Sequence, residues 1–417
     1  MTREFNKVTM VGLGYIGLPT AALMASRGLE VIGLDVNEQA VDTINAGGVH
    51  IVEPDLDIVV RSVVTTGNLR ATTTAEPSDA FLIAVPTPFV GDQHTPDLSY
   101  IKSAIENIAP MLERGNLLVL ESTSPVGTTE KMAAWLSELR PDLTFPHMTG
   151  NAADVQLAYC PERVLPGHVL QELVNNDRII GGISNKCVEH ATELYKTFVK
   201  GECIATTART AELCKLTENA YRDVNIAFAN EMSLVSDNLD VNVWELIALA
   251  NRHPRVGILQ PGPGVGGHCI AVDPWFIVDS VPEYARLIRT AREVNDSKPG
   301  YIVSRVKSKS ERFKTPRIAC FGLAFKANID DLRESPALDI VATLARTCDA
   351  DILVVEPNIN CLPGKLEALS CVRLVSQKQA LEEADIVVGL VDHKEFKSIS
   401  RESLTEKVII DTRGMWR

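Results

Sequence analysis

A glycine-rich turn follows the first apolar run of the chain and limits how the N-terminal part can fold. Val8-Thr-Met-Val11 leads directly into Gly12-Leu-Gly14-Tyr-Ile-Gly17, and a helical pattern follows. The next apolar run, Glu30–Leu34, ends at Asp35, 18 residues after Gly17. A strand, a Gly-x-Gly-x-x-Gly turn, a helix and a second strand that ends in an acid form the βαβ unit of a dinucleotide-binding fold.

Each part of this unit has a mechanical reason. Gly12 permits the tight turn, Gly14 lets the backbone approach a pyrophosphate, and Gly17 allows the helix to pack closely on the sheet. The positive N-terminus of the helix then faces the phosphate charge. Asp35 would accept hydrogen bonds from ribose hydroxyls and repel a 2′-phosphate, so the pattern predicts NAD rather than NADP. The alternative is a set of glycines in an ordinary strand–helix turn.

The N-terminal and C-terminal parts both predict α/β structure. From Lys7 to about Lys200, short apolar runs alternate with amphipathic stretches, which indicates a Rossmann-type parallel sheet covered on both faces, in a domain of residues 1–201. Strand–helix alternation returns after Pro316, which predicts a smaller C-terminal Rossmann-like α/β domain of residues 301–417. This second domain has no glycine fingerprint of its own.

The middle of the chain predicts helices. Residues 202–253 contain neither Gly nor Pro, and Thr206 or Thr207 is a suitable N-cap for a helix that runs to about Asn238. A helix of about thirty residues spans ~45 Å, which is more than one small domain needs. We therefore expect a central helical domain of residues 202–300 that joins two domains or pairs two subunits.

Composition excludes several function classes. The chain has 41 Lys+Arg against 54 Asp+Glu, a net charge of −13, which argues against a nucleic acid or an anionic membrane as the main partner. No segment approaches the ~20 uncharged apolar residues of a transmembrane helix, and the start of the chain lacks an apolar signal core, so we expect a cytoplasmic protein. The nine cysteines form no C-x-x-C pair and the eight histidines no H-x-x-x-H, so we expect neither a metal site nor a disulfide framework.

The densest glycine cluster carries a candidate nucleophile. Four glycines lie between Gly262 and Gly267, where they can bring backbone N–H groups close to a ligand, and Cys269 follows them. A helix that starts at this cysteine would favour its thiolate, and Asp273 would then share its face. The alternative is a buried cysteine after a flexible turn.

Three polar residues of the long predicted helix form one stripe. Lys215, Asn219 and Arg222 fall at i, i+4 and i+7. A lysine and an amide one turn apart could hold an alkoxide or an oxyanion. A solvated helix face is the alternative.

Two segments concentrate cations in this acidic chain. They are Asn251-Arg-His-Pro-Arg255 and Phe325-Lys-Ala-Asn-Ile-Asp-Asp-Leu-Arg333. Recognition of phosphate or carboxylate would explain them. The alternative is surface salt bridging, for instance between Arg333 and Asp330 or Asp331.

These features belong to a series of motifs that runs along almost the whole chain. In order, the motifs are Gly12-x-Gly14-x-x-Gly17, Pro86-Thr-Pro88, Thr123-Ser-Pro125, Pro161-Glu-Arg163, Lys215-x-x-x-Asn219, Gly266-Gly-His-Cys269 and Phe325-Lys326 with Arg333-Glu-Ser-Pro336. The set resembles the UDP-glucose/GDP-mannose dehydrogenase family. The resemblance implies a homodimer that oxidises the C6 alcohol of a UDP-sugar to a carboxylate with two NAD and one water, for a bacterial cell-surface polysaccharide.

Two longer strings favour one sugar. Cys160-Pro-Glu-Arg-Val-Leu-Pro-Gly167 and Arg252-His-Pro-Arg255 resemble the family members that act on UDP-N-acetyl-D-mannosamine, with UDP-GlcNAc and UDP-glucose as alternatives.

The resemblance also implies a role for each matching residue. The implied catalytic residues are Cys269 as nucleophile, Lys215 as proton donor and acceptor, Asn219 as its partner, and Glu162, Thr123 and Asp273, which order water and tune the site. The implied NAD contacts are Gly12, Gly14, Tyr15, Ile16, Gly17, Asp35, Thr87, Thr128 and Arg333. The implied UDP-sugar contacts are Arg163, Val164, Lys215, Asn219, Arg222, His253, Arg255, Gly266, Phe325 and Lys326, with His253 and Arg255 reaching a neighbouring subunit's site.

Two other functions stay open at this point. A two-electron β-hydroxyacid dehydrogenase also pairs a Rossmann fingerprint with a helical Lys-x-x-x-Asn, but it leaves Cys269 and the C-terminal domain unexplained. A catalytically silent NAD-sensing or assembly protein would bind NAD without turnover.

Overall fold

The computed structural model describes residues 5–91, 94–165, 167–267 and 269–416. Pro166 and His268, which belong to two of the motifs quoted above, lie outside the described residues. The chain divides into two units, residues 1–218 and 219–417. The division into domains at residues 201 and 300 stays a prediction, and residue 300 falls inside a continuous helix.

The described residues of the first unit form ten strands and eight helices. Its strands are β1 (Lys7–Val11), β2 (Glu30–Leu34), β3 (Leu69–Thr72), β4 (Ala80–Ile83), β5 (Phe89–Val90), β6 (Thr95–Pro96), β7 (Leu117–Leu120), β8 (Gln156–Tyr159), β9 (Arg178–Gly182) and β10 (Cys203–Thr207). Its helices are α1 (Gly17–Ser26), α2 (Glu38–Asn45), α3 (Leu56–Thr65), α4 (Ser99–Ile108), α5 (Thr128–Leu139), α6 (Pro146–Thr149), α7 (Val169–Asn175) and α8 (Asn185–Tyr195).

Eight of these strands form one sheet in the order β10-β9-β8-β7-β4-β1-β2-β3. The stretch β3-β2-β1-β4-β7-β8 is parallel throughout and has the strand order of a dinucleotide-binding domain. β9 runs antiparallel to β8, and β10 runs parallel to β9. The predicted Rossmann-type sheet is therefore confirmed, with one antiparallel step beyond the dinucleotide-binding core.

Both faces of this sheet are covered, which explains why its central strands β4 and β7 are apolar at every position. In β4, Ala80 and Leu82 belong to the core on one face, while Phe81 and Ile83 belong to the core on the other. Side chains of a strand alternate between faces, so a sheet between two helical layers needs apolar residues on both. Each fully buried Leu, Ile or Phe of this kind stabilises the fold by about 1.5–3 kcal/mol.

The long central helix, α9, spans Ala208–Asn238 and matches the predicted one. Thr207 is its N-cap, because its hydroxyl accepts a hydrogen bond from Thr210 N at 3.2 Å. The prediction that the whole of residues 202–253 is helical was wrong at its start. Cys203–Thr207 is strand β10, where Ile and Thr favour extended backbone and the chain pairs with β9.

The second unit combines helices with a five-stranded sheet. The helices after α9 are α10 (Val243–Ala250), α11 (Asp273–Ser280), α12 (Arg286–Ser310), α13 (Pro336–Thr347), α14 (Gly364–Glu367), α15 (Gln377–Glu383) and α16 (Lys394–Lys397). The strands are β11 (Arg317–Phe321), β12 (Asp351–Val355), β13 (Val372–Leu374), β14 (Ile386–Gly389) and β15 (Val408–Asp411). They lie in the order β13-β12-β11-β14-β15 and all run parallel, which confirms the predicted C-terminal Rossmann-like sheet. Among the described residues, no helix combines enough length with enough apolar character to cross a lipid bilayer.

A buried acid lies at the carboxyl end of β7. Glu121 Oε1 accepts a hydrogen bond from the Tyr195 hydroxyl at 2.5 Å, and the Arg178 guanidinium lies 5.7 Å from the centre of the Tyr195 ring. Burial raises the pKa of Glu121 to about 7, although Tyr195 and Arg178 favour the ionised form. Glu121 is thus a carboxyl group that the fold keeps protonated below neutral pH.

We predict that Glu121 makes the free energy of unfolding fall as pH rises from about 5 to about 8. The unfolded chain releases this proton near pH 4.3 and the folded chain near pH 7, so the folded state binds more protons in that window and ionisation works against it. Glu121→Gln imitates the protonated acid and does not titrate. As pH rises from about 5 to about 8, its free energy of unfolding should therefore rise by about 1–3 kcal/mol relative to that of the wild type. Urea unfolding at both pH values measures this, with the exposed Glu138→Gln as control. Parallel pH profiles for wild type and Glu121→Gln would contradict it.

Candidate active site

The glycine turn after β1 has the geometry that its sequence predicts. Gly12 has φ +90°, and a Cβ there would lie 2.5 Å from Ala84 O. A Cβ on Gly17 would lie 1.8 Å from Gly12 O, so the start of α1 packs directly on the turn. A Cβ on Gly14 would meet no other described atom within 4 Å. Gly12 and Gly17 are therefore required by the fold, whereas Gly14 faces open space into which a ligand can come close to the backbone.

Asp35 holds the loop that surrounds this space. Its Oδ2 accepts from Leu13 N at 2.8 Å and its Oδ1 accepts from Asn37 N at 2.9 Å. Tyr15 is partly exposed, and Ile16 is the N-cap residue of α1, which has no acidic side chain in its first turn among the described residues. An open helix N-terminus beside a fixed carboxylate fits the pyrophosphate and ribose of a dinucleotide.

The ends of β4 and β7 meet at the same edge of the sheet. The Thr87 hydroxyl donates to Thr123 O at 2.5 Å, and the Ser122 hydroxyl donates to Val85 O at 2.7 Å. Thr128, the first residue of α5, is fully buried and donates to Pro125 O at 2.6 Å. The structure therefore brings together Thr87 and Thr123, two of the predicted site residues, and gives Thr128 a hydrogen bond within its own turn.

Lys215 on α9 lies against the segment that follows β8. Its Nζ donates to Glu162 O at 2.8 Å and lies 3.4 Å from Glu162 Oε1, and both side chains are mostly buried. Glu162 Oε2 also accepts from Val164 N at 2.7 Å. Arg163 pairs with Glu218, one turn beyond Lys215 on α9, at 2.7 Å. The fold thus places a fixed lysine amine beside a fixed carboxylate, a pair that can accept and return a proton.

Asn219, one turn after Lys215 on α9, contacts the start of α11. Its Nδ2 donates to Asp273 Oδ2 at 2.5 Å, and Asp273 is 3% exposed. The exposed Cys269 precedes Asp273 by one turn, and its carbonyl accepts from Asp273 N at 2.9 Å. The expected helix does not start at Cys269. It starts one turn later, because α11 begins at Asp273. The same hydrogen bond nevertheless fixes the two residues relative to each other.

The glycine loop, whose described residues are 262–267 and 269, packs closely through Gly266 and Gly267 on the loop that follows β11. A Cβ on Gly266 would lie 2.4 Å from Glu334 O, and one on Gly267 would lie 3.2 Å from the Phe325 ring. Gly267 has φ +83°, a conformation that side chains disfavour. Phe325 thus contacts the loop that carries the thiol, and the next residue, Lys326, is exposed.

The remaining predicted cations lie at the surface. Arg222 on α9 is exposed, as are His253 and Arg255 in the turn after α10, where His253 Nδ1 accepts from Arg255 N at 3.3 Å. Arg333 Nη2 lies 2.6 Å from Asp331 Oδ2, which is the surface ion pair of the alternative interpretation of this segment. Their roles toward a nucleotide or a sugar stay predictions. The described residues contain no group of three or more His, Cys, Asp or Glu suited to a metal ion, and the expectation of no metal also stays a prediction.

Sequence reasoning missed two acids that shape this site. Glu218, the partner of Arg163, is three residues after Lys215, so the helical stripe could have indicated it. Glu212 is fully buried and accepts from Gly127 N at 2.5 Å and from Thr129 N at 2.8 Å. No local pattern reveals this contact, because 83 residues separate Glu212 from Thr129.

Comparison with known proteins places the whole chain in one group. Three models of the UDP-glucose/GDP-mannose dehydrogenase family match it in order, the NAD binding domain at residues 6–199, the central domain at 209–297 and the UDP binding domain at 319–417. The chain is 65% identical to an NDP-N-acetyl-D-galactosaminuronic acid dehydrogenase of Ralstonia nicotianae, over 99% of this chain and 97% of that one. It is 62% identical to a UDP-N-acetyl-D-mannosamine dehydrogenase of Campylobacter jejuni, over 96% of this chain and 98% of that one. Among solved structures, the UDP-N-acetyl-mannosamine dehydrogenase Cap5O of Staphylococcus aureus matches with a TM-score of 0.87 and 43% identity, over 99% of this chain and 96% of that one.

Two alanine substitutions should separate the structural glycines from the ligand-facing one. Gly17→Ala forces a methyl group onto the backbone of Gly12, so we expect a loss of about 3 kcal/mol or more in the free energy of unfolding. Gly14→Ala meets no protein atom, so the melting temperature should hold while NAD affinity falls at least about tenfold. Thermal unfolding and NAD titration measure the two effects. Equal NAD affinity in wild type and Gly14→Ala would contradict the assignment of this turn.

Proposed function

This chain belongs to the UDP-glucose/GDP-mannose dehydrogenase family and is an NAD-dependent UDP-sugar dehydrogenase, and we propose that it oxidises UDP-N-acetyl-D-mannosamine at C6 to the mannosaminuronate. Per sugar, the reaction consumes two NAD⁺ and one water and yields one carboxylate, two NADH and three protons. One observation carries the proposal. The exposed Cys269 thiol lies one turn before Asp273, whose carboxylate accepts a hydrogen bond from Asn219.

The residues of the glycine turn fit NAD. The open space at Gly14 admits a pyrophosphate, and Asp35 stands where ribose hydroxyls would donate. When bound there, NAD supplies the hydride acceptor for both oxidations. The protein must then handle the proton of the C6 hydroxyl and, after the first oxidation, the aldehyde.

We assign the proton and the developing negative charge to Lys215. The Lys215 amine, in its neutral form, accepts the proton of the C6 hydroxyl as the first hydride leaves, and the Glu162 carboxylate favours the ammonium that results. The Asn219 amide, one turn further along α9, supplies a hydrogen-bond donor for an oxyanion, and Asp273 fixes its orientation.

We assign capture of the aldehyde to Cys269. An aldehyde has no hydride to release until a nucleophile adds to its carbonyl, and addition of the Cys269 thiolate gives a thiohemiacetal whose C6–H bond can break to give a thioester. Water then attacks the thioester, the C–S bond breaks, and the thiol is regenerated with the carboxylate product. Thr123, Glu162 and Asp273 are proposed to order that water. A covalent intermediate also prevents escape of the aldehyde between the two oxidations.

The sugar has a second candidate. The Ralstonia nicotianae relative is the more similar of the two relatives described, and its name refers to N-acetyl-D-galactosaminuronic acid. The two sugars differ in configuration at ring carbons, so loop geometry decides between them. Homodimerisation, a cytoplasmic location and supply of a uronic acid to a cell-surface polysaccharide stay predictions.

A panel of sugar nucleotides tests the substrate. We expect UDP-N-acetyl-D-mannosamine to give the highest kcat/KM for NADH formation, at least about tenfold above UDP-GalNAc, UDP-GlcNAc and UDP-glucose. NADH counted at completion should reach two per sugar consumed. A preference for UDP-GalNAc would replace the sugar assignment, and one NADH per sugar would support a two-electron dehydrogenase instead.

Removal of the thiol tests the mechanism. Cys269→Ala should form at most one NADH per sugar and release aldehyde, because no thiohemiacetal can form. Cys361→Ala, which removes another exposed thiol, is the matched control and should keep two NADH per sugar. Mass spectrometry of quenched wild-type reactions should show an acyl adduct on Cys269. Two NADH per sugar from Cys269→Ala would refute the nucleophile.

A further inference from the structure

Four buried polar side chains connect α9 to α12 inside the second unit. Asp223 and Asn230 lie on α9, and Arg292 and Asn295 lie on α12, each no more than 1% exposed. Arg292 Nη1 donates to Asp223 Oδ1 at 2.6 Å, and Asn295 Nδ2 donates to the same oxygen at 2.8 Å. Asn230 Nδ2 donates to Asn295 Oδ1 at 2.8 Å. These residues form one continuous hydrogen-bonded network, which we call the α9–α12 network.

The α9–α12 network ends on the backbone at both ends of the glycine loop. Asn230 Oδ1 accepts from Gly262 N at 2.8 Å, and this hydrogen bond is buried. Arg292 Nη1 lies 3.5 Å from Ile270 O, directly after Cys269. The segment that carries the thiol is therefore held at both ends. A residue of α9 holds it at Gly262, and a residue of α12 contacts it at Ile270, directly after the thiol.

The glycine loop depends on such external support. Gly262, Gly264, Gly266 and Gly267 have no side chain with which to fix their own conformation, and glycine backbone is the most costly to order. Displacing the loop would leave Gly262 N–H buried without its partner, which costs about 1–3 kcal/mol. The network therefore selects one position of the loop.

Asn230 makes two hydrogen bonds that few other side chains could make together. Its amide donates to Asn295 through Nδ2 and accepts from Gly262 through Oδ1. An ionised carboxylate of the same shape could accept from Gly262 but could not donate to Asn295. A protonated carboxylic acid could do both.

We propose that Asn230, held by the other three residues of the α9–α12 network, is a positioning residue for the Cys269 nucleophile. It fixes the glycine loop so that the thiol stands where the aldehyde carbonyl is formed. This inference rests on the proposed function for its catalytic readout, and on geometry alone for the order of the loop.

The first test removes the amide. Asn230→Ala should lower kcat for two-NADH turnover by about 10- to 100-fold with KM changed by less than about threefold, because a misplaced nucleophile impairs chemistry more than binding. Aldehyde should appear among the products. Hydrogen–deuterium exchange should become faster in peptides that cover residues 260–271 and stay unchanged in the sheets.

The matched control is Asn238→Ala. Asn238 lies on the same helix, is exposed, and donates only within the helix, to Leu234 O at 2.9 Å. It should keep wild-type kcat and wild-type exchange at the glycine loop. If Asn230→Ala matches this control, or if its exchange rises throughout the second unit with kcat and KM changed alike, the positioning role is overturned.

A second variant keeps the test valid if Asn230→Ala does not fold. In Asn230→Asp the protonated acid restores both hydrogen bonds, so the ratio of its kcat to that of wild type should rise as pH falls. The ratio of its loop exchange rate to that of wild type at the same pH should fall in parallel, because that ratio removes the intrinsic pH dependence of amide exchange. The charged groups on the elements around this position are Asp223, Arg292 with its second partner Asp296, and Lys298, whose Nζ donates to Ser233 Oγ at 2.7 Å. Arg413, which pairs with Asp392, lies against Gly262, where a Cβ would be 2.5 Å from its Nη1. They are present in both proteins, so their titration cancels in the ratio. A ratio that does not change with pH would refute the role.

Failure of the proposed function gives a different result. If wild type produces one NADH or none from every UDP-sugar, the four-electron oxidation is wrong. Loop exchange in Asn230→Ala and its pH dependence in Asn230→Asp need no substrate, so they still decide whether Asn230 orders the loop.

Discussion

Carboxylates that accept backbone N–H groups hold the loops of this protein in place. Parallel strands end in turns whose N–H groups have lost their sheet partners, and a buried N–H without an acceptor is costly. Asp35 accepts from the loop after β1, and Glu356 accepts from Leu323 N, in the loop after β11, at 2.7 Å. Glu212 does the same for the turn before α5. Because charge-assisted hydrogen bonds of this kind are strong, each functional loop has a defined position before any ligand arrives.

In both sheets a carboxylate holds the loop that follows the first strand, but the two loops differ in length and surroundings. Gly12 and Gly322, each directly after the first strand of its sheet, both have positive φ, and an acid at the end of the neighbouring strand accepts from the following residue. After Gly12 the loop stays small and open at Gly14. After Gly322 it continues to Phe325, whose ring covers the glycine loop. The same strand topology thus leaves space for a dinucleotide at the sheet of the first unit. In the second unit it positions a loop that packs against the thiol-bearing loop.

Local sequence patterns were enough to predict the elements with strong periodicity. β1 and β2 are mostly apolar and flank the glycine turn, and α9 combines an N-cap with 31 residues free of Gly and Pro. β3 gives a weaker sequence signal, because Leu69 and Ala71 are buried while Arg70 on its other face is exposed. β10 was included in a helical region because the absence of Gly and Pro does not distinguish a strand from a helix.

Candidate site residues could be proposed one by one from the sequence, but the contacts between them could not. Cys269, Lys215 and Asn219 stand in recognisable local motifs. Their partners are distant in sequence, since 53 residues separate Lys215 from Glu162 and 54 separate Asn219 from Asp273. Such pairs are products of the tertiary fold, and no periodicity in the chain encodes them.

The contrast between exposed and buried thiols has a consequence for how the protein tolerates oxidants. Burial raises the pKa of Cys160 and Cys320 to about 12, so these sulfurs remain protonated and shielded. Cys269 is exposed, as the proposed role of its thiol in capturing a sugar aldehyde requires. Peroxide attacks accessible thiolates first and converts them to sulfenic acid, so the exposure that the proposed chemistry requires also opens this sulfur to oxidants.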